Sequence, residues 1–445
     1  MVAPARIAAY EVLSAVGSGA RDLPAALARS RRGLHDERDR ALAAEIAAGT
    51  LRWQGQLDFL IDAVAAHPKR LGPEVRTVLR LSAYQLLHLD RVPARAVVND
   101  AVELVRACSQ AAASGLVNAV LRRLADPARR PELPGRSTPL DYLSSTCSLP
   151  RWLAARWLER LGLDAAEAWA RFSTQPAPVV VRANRLVTTR ESLADVLASE
   201  GVHTTAARWA PDALLVTSGQ VLRTRAFEEG RCLVQDEASQ LVAMAAGVHP
   251  GERALDACAA PGGKAAAMAA ELGDTGRLVA MDLRPRRIAL LRETLSRLGA
   301  RRVAVIRGDA RRGLPLQPVF DAVVVDAPCS GLGTIRRDPD VKWRRTEAGL
   351  DEFAARQREI LLRASEVVKI GGRLLYATCS SEPEENEEVV KDFAKAVPSL
   401  RSISIAEQTW WPRDLSPLVD GRGHLRTEPH RHGLEAFFAA LFVRT

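Results

Sequence analysis

The sequence predicts an α/β protein in three parts: an all-helical bundle over residues 1–138, a small α/β module over 139–235, and a doubly wound, Rossmann-like domain over 236–445. Three observations predict it. Apolar residues recur at helical spacing through the first 126 residues, a cluster of prolines ends that pattern, and apolar strands then alternate with amphipathic helices to the C-terminus.

In the first part Val75, Val78, Leu79, Leu86 and Leu89 share one helical face, and Val98, Ala101, Val102 and Val105 share another. Arg76 and Arg80 stand four apart on a polar face, which fits either a stripe facing phosphate or an ordinary solvated surface. Pro127, Pro131, Pro134 and Pro139 form a linker, because proline lacks the helical donor and restricts the residue before it. The middle module reads as a helix (153–169), a strand (179–181), a helix (191–198) and a strand (213–216).

The 445 residues hold 62 Lys and Arg against 53 Asp and Glu, and residues 1–140 carry 20 basic and 14 acidic side chains, a local excess of six. A basic N-terminal part favours a polyanionic partner, although only six of the 62 are lysine, a bias that codon usage can also produce. No apolar run reaches the roughly 18 residues that cross a bilayer and the N-terminus has no signal-peptide order, so a cytoplasmic protein without a membrane role is expected. Cysteines 108, 147, 232, 258, 329 and 379 form no C-x-x-C pair and no zinc spacing with histidine, so reduced thiols and no metal are expected.

The chemistry lies in the last part. Its apolar strands lead into Asp256, Asp282, Asp309, Asp326 and Cys379, and in an open α/β sheet ligands bind beyond the carboxyl ends of the strands. After the first strand comes Cys258–Ala259–Ala260–Pro261–Gly262–Gly263–Lys264, whose small residues let the backbone approach a ligand at a helix N-terminus. Asp282 lies 19 residues beyond Gly263, the spacing at which a carboxylate accepts from ribose hydroxyls. The loop has neither G-x-G-x-x-G order nor the G-K-S/T of a phosphate loop, so S-adenosylmethionine fits better than a dinucleotide. Cys329 and Cys379 each stand at a strand end in a turn-forming context, where either could act as a nucleophile in one shared site.

The strings LDACAAPGGK (255–264), DAPCSGLGTIRRDPDVKW (326–343) and YATCSSEPEENE (376–387) resemble motifs of the RNA cytosine-C5 methyltransferases. QDEAS (235–239) and HGLEAFFAALFVR (432–444) resemble the entry and closing segments of the same catalytic domain. AGTLRW (48–53), YQLLHLDRVPARAVVNDAVEL (84–104) and VNAVLRRL (117–124) are similar to antitermination factor NusB, a fusion typical of the small-subunit methyltransferase B (Sun/Fmu) branch. The resemblance implies a class I methyltransferase domain that uses S-adenosylmethionine on 16S rRNA, with cytosine 967 as the expected target; a monomer is expected, although the sequence itself does not reveal oligomeric state.

It also implies roles. Cys379 would attack C6 of the cytosine, Cys329 would assist release of the methylated base, and Asp326 would face the base edge, the cofactor, or both. DNA methyltransferases use the cysteine at the position of Cys329 as nucleophile, which is the competing assignment. Asp282 would hold the ribose, Asp309 the adenine edge, and residues 258–264 the methionine end, with Lys264 at the cofactor carboxylate or beside a thiol. Ala265 stands where many relatives have Thr.

Other readings remain beside these. Asp256 could touch the ligand or cap its loop, and Glu384 and Glu385 would serve a helix N-terminus. Trp410 and Trp411 read as packing residues. Arg336 to Trp343 would track an RNA backbone or form a solvated loop. A tRNA cytosine-C5 methyltransferase is the nearest enzymatic alternative, and a non-catalytic RNA-binding or antitermination factor on the same scaffold is the alternative from another class.

Overall fold

In the computed structural model, which describes residues 2–313 and 316–445, the chain divides into two units. One consists of Met1–Pro176 together with Ile335–Glu347, the other of Ala177–Thr334 together with Ala348–Thr445.

The first unit is helical, with helices at Pro4–Gly17, Leu23–Ser30, Glu37–Arg52, Gln54–Val64, Pro73–His88, Ala94–Ala107, Ser114–Ala125 and Arg151–Thr174. Asp22 and Asp36 cap two of them by accepting from the amides of Ala25 and Arg38, which meets donors that a helix start leaves unpaired. The apolar stripes meet in one core that includes Val12, Ile46, Leu57, Ile61, Val78, Leu79, Val98, Leu104, Val117 and Leu121. Arg76 and Arg80 are spent inside the bundle. Arg80 grips Asp58 through Nε and Nη2, each at 2.7 Å, and Arg76 reaches Asp62 at 2.9 Å and the Pro68 carbonyl at 2.9 Å.

Residues 335–347 do not form a solvated loop, and their lysine is withdrawn from any RNA backbone, which corrects the sequence reading at Lys342. The Lys342 side chain is fully buried, and its ammonium donates to the Arg52 carbonyl at 2.9 Å and the Ser148 carbonyl at 2.6 Å. Trp343 donates from Nε1 to the Leu51 carbonyl at 2.6 Å. Buried Asp340 accepts from the Leu23 amide at 3.2 Å and from Arg344 at 2.9 Å. The Arg336 guanidinium lies 4.3 Å from the centre of the Phe172 ring. Burial, followed by the nearby Arg52 charge, pushes Lys342 down to about 7. A neutral amine carries two N–H bonds, the number that two carbonyls can accept.

The second unit contains two sheets. The smaller is antiparallel in the order β2-β3-β1-β4, with β1 Val180–Ala183, β2 His203–Ala206, β3 Ala213–Ser218 and β4 Cys232–Val234. In the sequence β2, His-Thr-Thr-Ala, is too polar and β4, three residues long, too short to stand out beside the two strands that do.

The larger sheet holds β5 Arg253–Asp256, β6 Arg277–Asp282, β7 Val303–Arg307, β8 Phe320–Asp326, β9 Val368–Thr378, β10 Leu400–Ile403, β11 Leu425–Thr427 and β12 Phe437–Arg444. Its order is β10-β12-β9-β8-β5-β6-β7, with β11 beside β12. The strands from β9 to β7 run parallel, and β12 pairs antiparallel with β9. Alternate residues of β8 and β9 feed two cores. Val324 and Leu375 enter one, Val323, Val325, Leu374 and Tyr376 the other. Burial on both faces is why these strands read as unbroken apolar runs. Trp411 is buried in the first of these cores, and an added Cβ on Gly247 would lie 2.1 Å from Trp410, so both tryptophans pack.

Lys342→Met should destabilise the helical unit, because the Arg52 and Ser148 carbonyls lose their donor at about 1–3 kcal/mol for each unpaired group. The wild-type lysine is lowered when folded, so the unfolded chain binds the extra proton between about pH 7 and the ordinary lysine value. Stability to urea should therefore rise with pH across that window in the wild type and lose that component in Lys342→Met. An unchanged slope would contradict the neutral buried amine.

Candidate active site

The strand order reverses beside β5. The chain steps from β5 outward to β6 and β7, then returns to β8 on the other side of β5. The loops that follow β5 and β8 diverge there and open a crevice at the carboxyl ends of the strands.

The loop after β5 is held by main-chain bonds to its neighbours: the Ala257 amide donates to the Val324 carbonyl at 2.9 Å and the Ala259 amide to the Met281 carbonyl at 2.8 Å. Gly262 has φ +111°, which disfavours any side chain, and an added Cβ on Gly263 would stand 3.1 Å from Gln235 Nε2. The helix Gly263–Leu272 starts here, with first-turn amides that have no partner inside the helix. Asp282, buried at the end of β6, accepts from the Ala260 amide at 3.3 Å and from Arg287 Nε at 3.0 Å. This set suits a nucleoside bearing an amino-acid tail: a close backbone approach, unpaired amides for a carboxylate, and a carboxylate at the ribose position.

Lys264 supplies the local cation. Its ammonium lies 2.8 Å from Asp326 Oδ2. Burial would lower it, but the Asp326 carboxylate overrides that and the group is raised. Asp256 is fully buried, and its Oδ2 has no hydrogen-bond partner. Burial, then the Asp326 charge, lifts it to about 7. Its Oδ1 accepts from the Cys258 amide at 3.4 Å, the loop-capping bond the sequence suggested. Burial and the Asp256 charge push the Cys258 thiol well up, so it stays protonated.

The two sequence-predicted thiols meet. Cys329 Sγ and Cys379 Sγ are 3.1 Å apart, and the Cys379 amide points at Cys329 Sγ from 3.4 Å. The hydrogen bond with Cys379, then burial, raises Cys329 well above an ordinary thiol. Two thiols at this distance do not both ionise, and Cys329 is the one held protonated. Asp309 stands apart, its carboxylate engaged by Arg311 of its own loop through Nε at 3.0 Å and Nη2 at 2.7 Å. Those bonds hold Asp309 below the ordinary carboxylate range.

The sequence reading missed the group behind the thiols. Glu385, expected at a helix N-terminus, is fully buried. Its Oε1 accepts from the Ser330 amide and from Gln357 Nε2, each at 2.8 Å, and its Oε2 accepts from the Ser380 hydroxyl at 2.5 Å. The Ser330 and Ser380 hydroxyls are 3.1 Å apart. The one signal in the sequence is that both motifs read Cys-Ser, at 329–330 and 379–380.

Among the described residues no helix is long and apolar enough to cross a membrane, and no group of three or more His, Cys, Asp or Glu is placed to hold a metal ion.

Comparison with known proteins matches three parts of the chain. Residues 243–443 match the family described as 16S rRNA methyltransferase RsmB/F, 3–126 match the NusB family, and 149–222 match an RsmF/B-like ferredoxin-like domain. The chain is 34% identical over 406 residues to a probable ribosomal RNA small subunit methyltransferase B of Bacillus subtilis, covering 90% of each. It is 35% identical to the ribosomal RNA small subunit methyltransferase B of Pseudomonas putida, covering 91% of this chain and 92% of that one. Among solved structures, PH0851 superposes with a TM-score of 0.83 at 26% identity, covering 100% of this chain and 99% of that one.

Lys264→Met should cost the α/β unit on the order of 3 kcal/mol, because two carboxyl groups lose the cation they face. Without the lysine Asp256 should be raised further, so the folded state would bind more protons than the unfolded one at acid pH. The loss measured by urea unfolding should therefore be smaller at pH 5 than at pH 8; an equal loss at both would contradict the charge argument.

Proposed function

The chain belongs to the 16S rRNA methyltransferase RsmB/F family, and from that premise we propose that it methylates C5 of a cytosine in 16S rRNA through a covalent adduct between Cys379 and C6. The observation that carries the proposal is the contact of the two thiols, 3.1 Å apart, beyond the ends of β8 and β9. Cytosine C5 is a poor nucleophile, and a thiolate added at C6 turns the ring into an enamine whose C5 can attack an electrophilic methyl group.

S-adenosylmethionine, the cofactor of this family, supplies that methyl group. The 258–264 loop and the helix that follows it would take its methionine end, Asp282 its ribose and Asp309 its adenine edge. That last role requires Asp309 to share its carboxylate with Arg311. Asp326, tied to Lys264, presents its second oxygen for the N3 and N4 edge of the base or for the cofactor.

The division of labour between the thiols is supported by the environment of Cys329. Its bond to Cys379 and its burial keep Cys329 protonated, which disfavours it as the attacking thiolate and leaves that role to Cys379. After methyl transfer C5 must lose its proton before the C6–S bond can break, and Cys329 assists that release. The target base leaves its stack to reach Cys379, so an unpaired loop or unassembled rRNA is the favoured substrate. The helical unit and the small antiparallel sheet would dock the RNA, with the enzyme acting as a monomer in the cytoplasm. Cytosine 967 is the proposed position.

Labelled methyl transfer to free small-subunit rRNA and, separately, to bulk tRNA should mark a single rRNA cytosine. Label on tRNA would change the substrate, and label on neither would favour a non-catalytic RNA-binding factor. On denaturing gels, Cys329→Ala should accumulate a protein–RNA adduct and Cys379→Ala should form none and be inactive. The reverse pattern would exchange the two cysteines.

A further inference from the structure

The two thiols meet because the loops that carry them share one carboxyl group. Cys329 and Cys379 are 50 residues apart in sequence, on loops that follow different strands. Each is followed by a serine, and both serines reach Glu385, Ser330 through its amide at 2.8 Å and Ser380 through its hydroxyl. Gln357, from the helix Gly349–Ser365, donates to the same Oε1 and also to the Pro328 carbonyl at 3.1 Å, just before Cys329. The Tyr376 hydroxyl donates to the Glu385 carbonyl at 2.6 Å, which fixes the backbone of the glutamate to β9 itself.

Asn386 completes the frame. It accepts from the Thr378 hydroxyl and donates to the Ser380 carbonyl at 3.0 Å, so the Cys379 turn is held from both sides. Among the described residues the Glu385 carboxyl accepts from an amide, a side-chain amide and a hydroxyl and forms no ion pair. A buried acid given three directed donors and no counter-ion is placed for geometry rather than for charge pairing.

We propose that Glu385 is a positioning residue that sets the separation of the Cys329 and Cys379 thiols by binding Ser330 and Ser380 at once. Its own carboxyl does not touch either sulfur in the structure. It acts through the serine that follows each cysteine, and so determines whether the second thiol is in place when the adduct is to be resolved. The inference rests on the reading of the two cysteines as a working pair, and it concerns their spacing, which can be measured without RNA.

Diamide, a two-electron thiol oxidant, provides that measurement. It takes two electrons and two protons from neighbouring thiols, is reduced to the hydrazine, and leaves a disulfide only where the sulfurs can meet. In the full-length wild type a Cys329–Cys379 cross-link should form rapidly, as read by peptide mapping. In Glu385→Ala the rate should fall about tenfold or more, while Glu385→Gln, which keeps an acceptor for the Ser330 amide, should recover part of it.

With substrate RNA and S-adenosylmethionine, Glu385→Ala should lose up to about 10²-fold in kcat with the KM for the cofactor unchanged, because only the spacing of the thiols is disturbed. If Glu385→Ala does not fold, Ser380→Ala removes one of the same bonds and should slow cross-linking in the same direction. A lower melting temperature with wild-type cross-linking in whichever variants fold would overturn the proposal and leave Glu385 a purely structural group. Loss of methyl transfer by the wild type with intact, Glu385-dependent cross-linking would instead overturn the functional reading and leave the positioning role standing.

Discussion

The site depends on the reversal of strand order beside β5. Because β6 and β8 flank β5 on opposite sides, the chain must wind one way through β6 and β7 and the other way through β8 and β9. The loops at the strand ends then separate instead of following one another. The glycine-rich loop and Asp282 occupy one bank of the crevice, and Asp326, Cys329 and Cys379 the other. Parallel pairing of β8 with β9 brings Asp326 level with Ala377, two residues short of Cys379. A one-residue slip of either strand would exchange its two buried faces and move the thiol away from the acid.

That crowding concentrates negative charge. Asp256, Asp282 and Asp326 sit in one neighbourhood, where Lys264 pairs with Asp326 and burial, then the Asp326 charge, raises Asp256 to about 7. The chain has only six lysines among its 62 basic residues, and two of them, Lys342 fully buried and Lys264 with 11% of its side chain exposed, stand in opposite circumstances. Lys264 faces carboxylates and is raised, whereas Lys342 faces carbonyls with Arg52 nearby and is lowered. Arginine could take neither place easily, since its charge cannot be shed and its fork needs more acceptors than either pocket provides.

How far the sequence could be read follows from these physical differences. The large sheet was legible because strands buried on both faces leave continuous apolar runs, and the candidate residues at its strand ends were legible because Asp and Cys stand out immediately after such runs. The strands at His203–Ala206 and Cys232–Val234 were not, since three or four residues with mixed burial carry no usable periodicity. Glu385 was misread for a related reason. Acidic residues near Pro383 look like the solvated first turn of a helix, and only the fold reveals that one of them turns inward to a second loop 55 residues away. Arg76 and Arg80 had the spacing of a phosphate stripe, but Asp58 and Asp62, 14 to 22 residues earlier, claim them.

The segment 335–347 shows the sharpest limit of local reading and carries its own consequence. Two arginines, two aspartates, a lysine and a tryptophan within eight residues suggest a wet surface, yet Asp340 and Lys342 are buried and Trp343 is bonded to a helix end. Its partners, the carbonyls of Leu51, Arg52 and Ser148, precede it by roughly 190 to 290 residues. The helical unit is therefore discontinuous in the chain, and its last buried polar groups find partners only after synthesis has passed through residue 347. Residues 1–176 alone would leave those carbonyls unpaired, at about 1–3 kcal/mol for each that water cannot reach. Pairings so distant in sequence form late, since chain closure must precede any gain from them. The N-terminal bundle can thus collapse early around its apolar core, but it reaches its final form only when the segment that directly follows the Cys329 loop has been made.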